Sequence, residues 1–182
     1  MKKCFLLVIT TILLVAMVAC TTTTPEKVGT KNASATNTGE SKSDESKPAE
    51  TKTYKIGDVI KMGNLQVTVN SAEIVKPDKI NTPQDSNNYF LFVDTTVENL
   101  GDTPLTISSM LMFQVVDKDG RALTMTYHTK QKGNLDGELG SGRKMTGQLV
   151  YEIPKAAKVE DYELIFEPDV LGFGQAIIKL TK

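Results

Sequence analysis

The sequence predicts an all-β fold: an antiparallel β-sandwich preceded by a signal peptide and a disordered tether. Three observations lead there. From Tyr54 onward apolar residues recur with a period of two. Turn residues interrupt these runs at short intervals, as in sandwiches built from short strands. Ahead of them lie a short apolar run and a long polar tract without any apolar period.

The N-terminus comes first. Lys2 and Lys3 form a positive start, and the run from Phe5 to Val18 is apolar over 14 residues. A bilayer-spanning helix needs roughly 20 apolar residues, so this run has the length of a signal peptide rather than of a permanent anchor. Ordinary signal peptidase takes small residues at both −1 and −3. Cutting before Cys20 puts Ala19 at −1 but the large Met17 at −3. Met17-Val18-Ala19-Cys20 instead resembles a lipobox. That resemblance implies cleavage after residue 19 and a diacylglyceryl group on the Cys20 sulfur. Two acyl chains anchor stably where one holds only marginally. Cys4 reads as one more apolar residue of the discarded signal. The expected location is therefore extracytoplasmic, held to the cell membrane by an N-terminal lipid.

The second segment, Cys20 through Thr53, carries the lipidated cysteine and then Thr, Ser, Lys, Glu, Ala, Asn, Gly and Pro, with Val28 as its one sizeable aliphatic residue. Nothing there can bury a face, so the segment reads as a disordered tether. As a flexible chain, its 33 residues after Cys20 span roughly 30 Å on average and about 110 Å at full extension. The Thr run at 21–24 reads as spacer in preference to a glycosylated stalk.

The third segment, residues 54–182, reads as strands. Leu65, Val67 and Val69 alternate with Gln66, Thr68 and Asn70, the pattern of a half-buried strand. Tyr89 to Val97 is aromatic and β-branched and apolar on both faces at its start, which places it centrally. Leu105 to Asp117 is a further apolar stretch with Leu111, Phe113 and Val115 on one face. Asp119-Gly120 then marks a tight turn, because glycine tolerates the positive φ that such turns require. Met145 to Ile153, Tyr162 to Phe166 and Ala176 to Leu180 alternate again, which makes seven or eight strands. Only Lys155 to Asp161 hints at a helical turn.

Composition narrows the function classes. The whole chain holds 21 basic and 22 acidic residues, without the basic excess of a nucleic-acid binder. Both cysteines, Cys4 and Cys20, fall in the first 20 residues. The domain thus lacks disulfides, thiolate ligands and a cysteine nucleophile.

In order along the chain stand Tyr54-Lys55-Ile56-Gly57-Asp58, Gly63-Asn64-Leu65-Gln66-Val67-Thr68-Val69, the Val97 to Leu105 turn region, Asp117-Lys118-Asp119-Gly120, Leu135-Asp136-Gly137-Glu138-Leu139 and Gly147 to Pro154. This series resembles the telokin-like DUF4352 family of bacterial extracytoplasmic proteins, related in fold to the secreted mycobacterial antigen MPT63. The resemblance covers nearly all of residues 54–182 and implies an immunoglobulin-like β-sandwich. Gly140-Ser141-Gly142 departs from the Pro-Gly that members often carry after the Gly-Glu turn. The family brings no agreed activity.

Candidate sites are few. His128 is the one histidine. In Tyr127-His128-Thr129-Lys130, before a Gly-rich loop, it reads as a surface residue. Nucleophilic catalysis needs a nucleophile, a base and an orienting group, and no spacing here supplies them. Zinc wants three or four His or Cys ligands. Asp117, Asp119, Asp136 and Glu138 are conceivable calcium ligands, but the glycine follows Asp119 too early for an EF-hand loop, so the first pair reads as a turn. A paired-carboxylate glycosidase would need a cleft flanked by two acids, for which so small a domain has little room. The aromatics Tyr89, Phe90, Phe92, Phe113, Tyr151, Tyr162 and Phe166 read as core, and Phe173, between Gly172 and Gly174, as a candidate contact residue. The expectation is thus no enzyme, no cofactor and no metal. It is an accessory module binding an envelope protein or wall polymer through loops and edge strands. The alternative is a receptor for a small solute or ion, with the Thr126–Gly142 loop as its lid.

Overall fold

The computed structural model describes residues 26–30, 52–168 and 174–182. The signal segment, Cys20 and Phe173 lie outside them. Three sheets are formed from β1 (Glu26–Thr30), β2 (Thr53–Lys55), β3 (Asp58–Met62), β4 (Leu65–Val75), β5 (Asn88–Asn99), β6 (Leu105–Ile107), β7 (Phe113–Asp117), β8 (Gly137–Leu139), β9 (Lys144–Pro154), β10 (Tyr162–Phe166) and β11 (Ala176–Lys179). A five-stranded sheet runs β1-β3-β4-β5-β9 and a four-stranded sheet runs β2-β11-β10-β7, with β6-β8 as a small third. Pairing is antiparallel except between β11 and β2.

The core follows from the alternation. Val67, Val69, Leu91, Val93, Leu149, Tyr151 and Ile153 face Phe113, Val115, Leu164, Phe166 and Ile178 between the two large sheets. Burying each large side chain stabilises by about 1.5–3 kcal/mol relative to exposure. β5 lies between β4 and β9, an interior place next to the rim; the centre of the sheet, where its two apolar faces put it, is held by β4. The odd-numbered Leu91 and Val93 point into the core, while Phe90 and Phe92 form a second cluster with Val150 on the opposite face. The turn after β7 forms as the sequence indicates: Gly120 has φ +77° and donates its N–H to the Asp117 carbonyl at 2.9 Å. A single 3₁₀ turn, Val159–Asp161, occupies the stretch with the helical hint.

Three expectations are corrected. The tether is not without structure throughout, because β1 forms inside it and pairs along β3. An edge strand needs backbone partners rather than an apolar period, and Lys27 adds an ion pair to the buried Asp58 at 2.8 Å. Leu105 to Asp117 is not one strand but β6, a helical turn α1 (Ser109–Met112) and β7. The Asp136 carboxylate captures the Ser109 N–H at 2.7 Å and its hydroxyl, so the chain turns there and leaves Leu111 65% exposed. Tyr89 is only half-buried, with the Lys155 ammonium 5.7 Å from its ring centre.

Candidate functional site

β9 forms one rim of the five-stranded sheet, and the segment from Met125 to Asn134 rides along it. Bridges join Met125 to Tyr151 and Gly133 to Gly147, and the Thr126 N–H donates to the Val150 carbonyl at 2.8 Å. Gln148 secures the middle. Its side-chain oxygen accepts the Lys132 N–H at 2.8 Å, and its backbone carbonyl accepts the side-chain amide of Gln131. The glycines permit the contact. A Cβ at Gly133 would fall 2.3 Å from the Thr146 carbonyl oxygen, and the residue has φ +68°. A Cβ at Gly147 would fall 2.8 Å from the Asn134 backbone.

Between this segment and α1 lies a cleft of about 730 Å³. Met110, Met125, Tyr127, Asn134, Asp136 and Gln148 are among its walls. Met110 is 81% and Tyr127 75% exposed, so two large apolar side chains stand at its rim. Two of its polar lining residues are engaged internally, Asp136 with Ser109 and Gln148 with the Lys132 N–H and the Gln131 side-chain amide.

His128 overturns the surface reading: it is fully buried. Its ring packs edge-on against Phe90 and Phe92, with centroids 4.8 and 4.9 Å away. The loop must cover these outward-facing phenylalanines, and the imidazole is the side chain that does so. Nδ1 accepts the Lys130 N–H at 3.2 Å, so Nε2 carries the hydrogen of a neutral ring, and no partner meets it among the described residues. Burial lowers the His128 pKa, with Asp78 raising and Lys130 lowering it to smaller extents. Asp78 ties the loop down from outside. It pairs with Lys130 at 2.7 Å, and this contact, with the Asn81 and Ile80 amides, holds its carboxyl far below the usual range. Asn81 in turn accepts the Thr129 N–H at 2.8 Å. The ring is closed off from solvent.

Three of the four acidic candidates, Asp117, Asp119 and Asp136, are likewise occupied. Asp117 accepts the Asp119 and Arg121 amides within its turn, and Asp119 pairs with Arg121. Glu138 is exposed on β8. Among the described residues, no group of three or more His, Cys, Asp and Glu is placed to hold a metal ion. None of their helices is long and apolar enough to cross a membrane. The cleft had one faint signal in the sequence, the Gly-rich stretch after His128. Met110 and Tyr127 carried none, because their exposure follows from α1 and the rim segment.

Comparison with known proteins places this architecture. The chain is 28% identical over 128 residues to the uncharacterized lipoprotein YjhA of Bacillus subtilis (strain 168), covering 63% of this chain and 59% of YjhA. It thus spans about three fifths of that relative's length. It is 27% identical over 139 residues to the uncharacterized protein YxkC of the same organism, covering 69% of this chain and 77% of YxkC. The crystal structure of the B. subtilis yjhA protein superposes with a TM-score of 0.57 at 27% identity, over 70% of this chain and 99% of that one. The ycdA structure from B. subtilis shares the fold at a TM-score of 0.52 and 22% identity, over 72% of this chain and 38% of that one. The family model for DUF4352, a domain of unknown function, matches residues 54–177. Matched over more than half its length by that model and sharing its sandwich with the yjhA protein, the chain belongs to the DUF4352 family.

Proposed function

We propose that this protein is an extracytoplasmic lipoprotein, acylated on Cys20, whose sandwich is a non-enzymatic binding module for an envelope protein or wall polymer. The observation that carries the reading is the concentration of exposed apolar side chains at one cleft. Met110 and Tyr127, which line it, are two of the five large hydrophobic residues that stand exposed among the described residues, and Leu111 follows Met110 on α1. Exposed apolar groups gathered on a soluble domain mark interaction sites, and methionine and tyrosine adapt well to partner surfaces. The lipoprotein relative YjhA and the Met17-Val18-Ala19-Cys20 motif support the anchor.

Crosslinking in living cells, with the native chain as bait and Cys20→Ala as control, tests this directly. A discrete partner recovered with the native chain and lost with the control is the expected result. A second reading is capture of a small solute, favoured by a cleft of about 730 Å³, a volume typical of ligand pockets. A thermal-shift panel separates the two, because a ligand at 100 times its Kd adds about 2.7 kcal/mol of stability. A flat panel alongside a crosslinked partner leaves the binding-module reading standing.

A further inference from the structure

The five-stranded sheet has two rims, and they are used differently. One rim is β1, contributed by the membrane-proximal segment. The other is β9, overlaid by the segment that walls the cleft. Four strand spacings separate β1 from β9, about 19 Å at the usual 4.8 Å per step. The β1 contact has a specific partner: Asp58 is a carboxylate with a side chain only 3% exposed, Lys27 meets it at 2.8 Å, and the Lys55 N–H also donates to it, at 3.2 Å. A buried carboxylate at a sheet edge favours an occupant that brings a cation, and Glu26–Thr30 brings Lys27.

We propose that Glu26–Thr30 is a docking strand that turns the lipid anchor into an oriented mount, with the β1 rim toward the bilayer and the cleft directed away from it. The inference rests on lipidation of Cys20. Six peptide steps separate Cys20 from Glu26, at most about 21 Å of chain. With β1 in place the sandwich stays within that distance of its anchor. An undocked tether of 33 residues after Cys20 would allow about 110 Å and any orientation. The docked arrangement presents Met110 and Tyr127 outward, where a partner in the envelope can reach them.

The test uses the full lipidated chain in phosphatidylglycerol–phosphatidylethanolamine liposomes carrying a headgroup-attached energy acceptor. Donor dyes are placed on Lys61→Cys, exposed on β3, or on Lys132→Cys, exposed beside β9; Cys20 is blocked by its lipid. The Lys61 donor is expected to be quenched more strongly than the Lys132 donor. The difference should vanish when residues 26–30 are replaced by Gly and Ser at equal length, which removes docking without changing the number of residues in the tether. Equal quenching at the two positions in the otherwise native chain would overturn the proposal. Failure of the anchor itself reads separately, as protein that does not float with the liposomes. In that event amide exchange on the lipid-free chain decides: protection of residues 26–30 by about tenfold or more supports docking, and free exchange overturns it.

Discussion

Both faces of β5 are buried, but by different means. Leu91 and Val93 face a large apolar cluster closed by a second sheet. Phe90 and Phe92 face outward and are closed by one loop, through a histidine and a few polar ties. The inner face therefore rests on buried area. The outer face rests on geometry and on the charge state of a single ring. Stability should come from the first, and responsiveness of the cleft wall from the second.

The largest effect should come from the inner face. Leu91→Ala removes a fully buried side chain and should cost about 2–5 kcal/mol in chemical denaturation. Gly133→Ala attacks the outer closure through its backbone, and should cost about 2–3 kcal/mol through strain at positive φ and the clash with the Thr146 carbonyl. Its exchange signature should differ from that of Leu91→Ala, because the Lys132 and Gln148 amides should lose protection before those of β5 do.

A pH series sharpens the contrast. The folded His128 pKa lies below its ordinary value of 6.5 because burial disfavours the charged ring. Below pH 6.5 the unfolded chain therefore binds more protons at this site. The stability is fully present above about pH 6.5 and is lost as pH falls toward the folded pKa, at up to about 1.4 kcal/mol per pH unit. His128 is the sole histidine, so His128→Leu should abolish this part of the pH slope while Leu91→Ala leaves it intact. Denaturation at pH 5 and pH 7 checks both variants.

Smaller effects follow at the cleft. Asp136→Ala frees the Ser109 amide and hydroxyl at the start of α1 and should cost about 1 kcal/mol, as for a lost helix cap. Lys130→Ala breaks a pair whose lysine is 67% exposed, and should cost under about 1 kcal/mol.

The sandwich was legible because alternation is a property of each strand. Val67 and Val69, or Leu164 and Phe166, reveal their face without knowledge of their neighbours. The turn at Asp117–Gly120 was legible for the same local reason. His128 was not, since its burial depends on Phe90 and Phe92 some forty residues earlier. The clue was those two aromatics on the outward face, which require a cover. Glu26–Thr30 was hidden because its contribution is backbone pairing plus one lysine, and neither leaves a hydrophobic pattern. Leu105 to Asp117 misled because its apolar run conceals the Ser109–Asp136 contact that bends it. The cleft lies where the Ser109–Asp136 contact meets the segment along β9, so spacing pointed only to one of its walls, the Thr126–Gly142 loop.

The claim that the cleft is the working surface is tested most directly by site-specific photocrosslinking in cells. A crosslinking side chain replaces Tyr127 at the cleft or Lys61 on β3, each in the native and the Cys20→Ala background. A discrete adduct from position 127 alone, dependent on Cys20, is the predicted result. Equal adducts from both positions, or none from position 127, would contradict it.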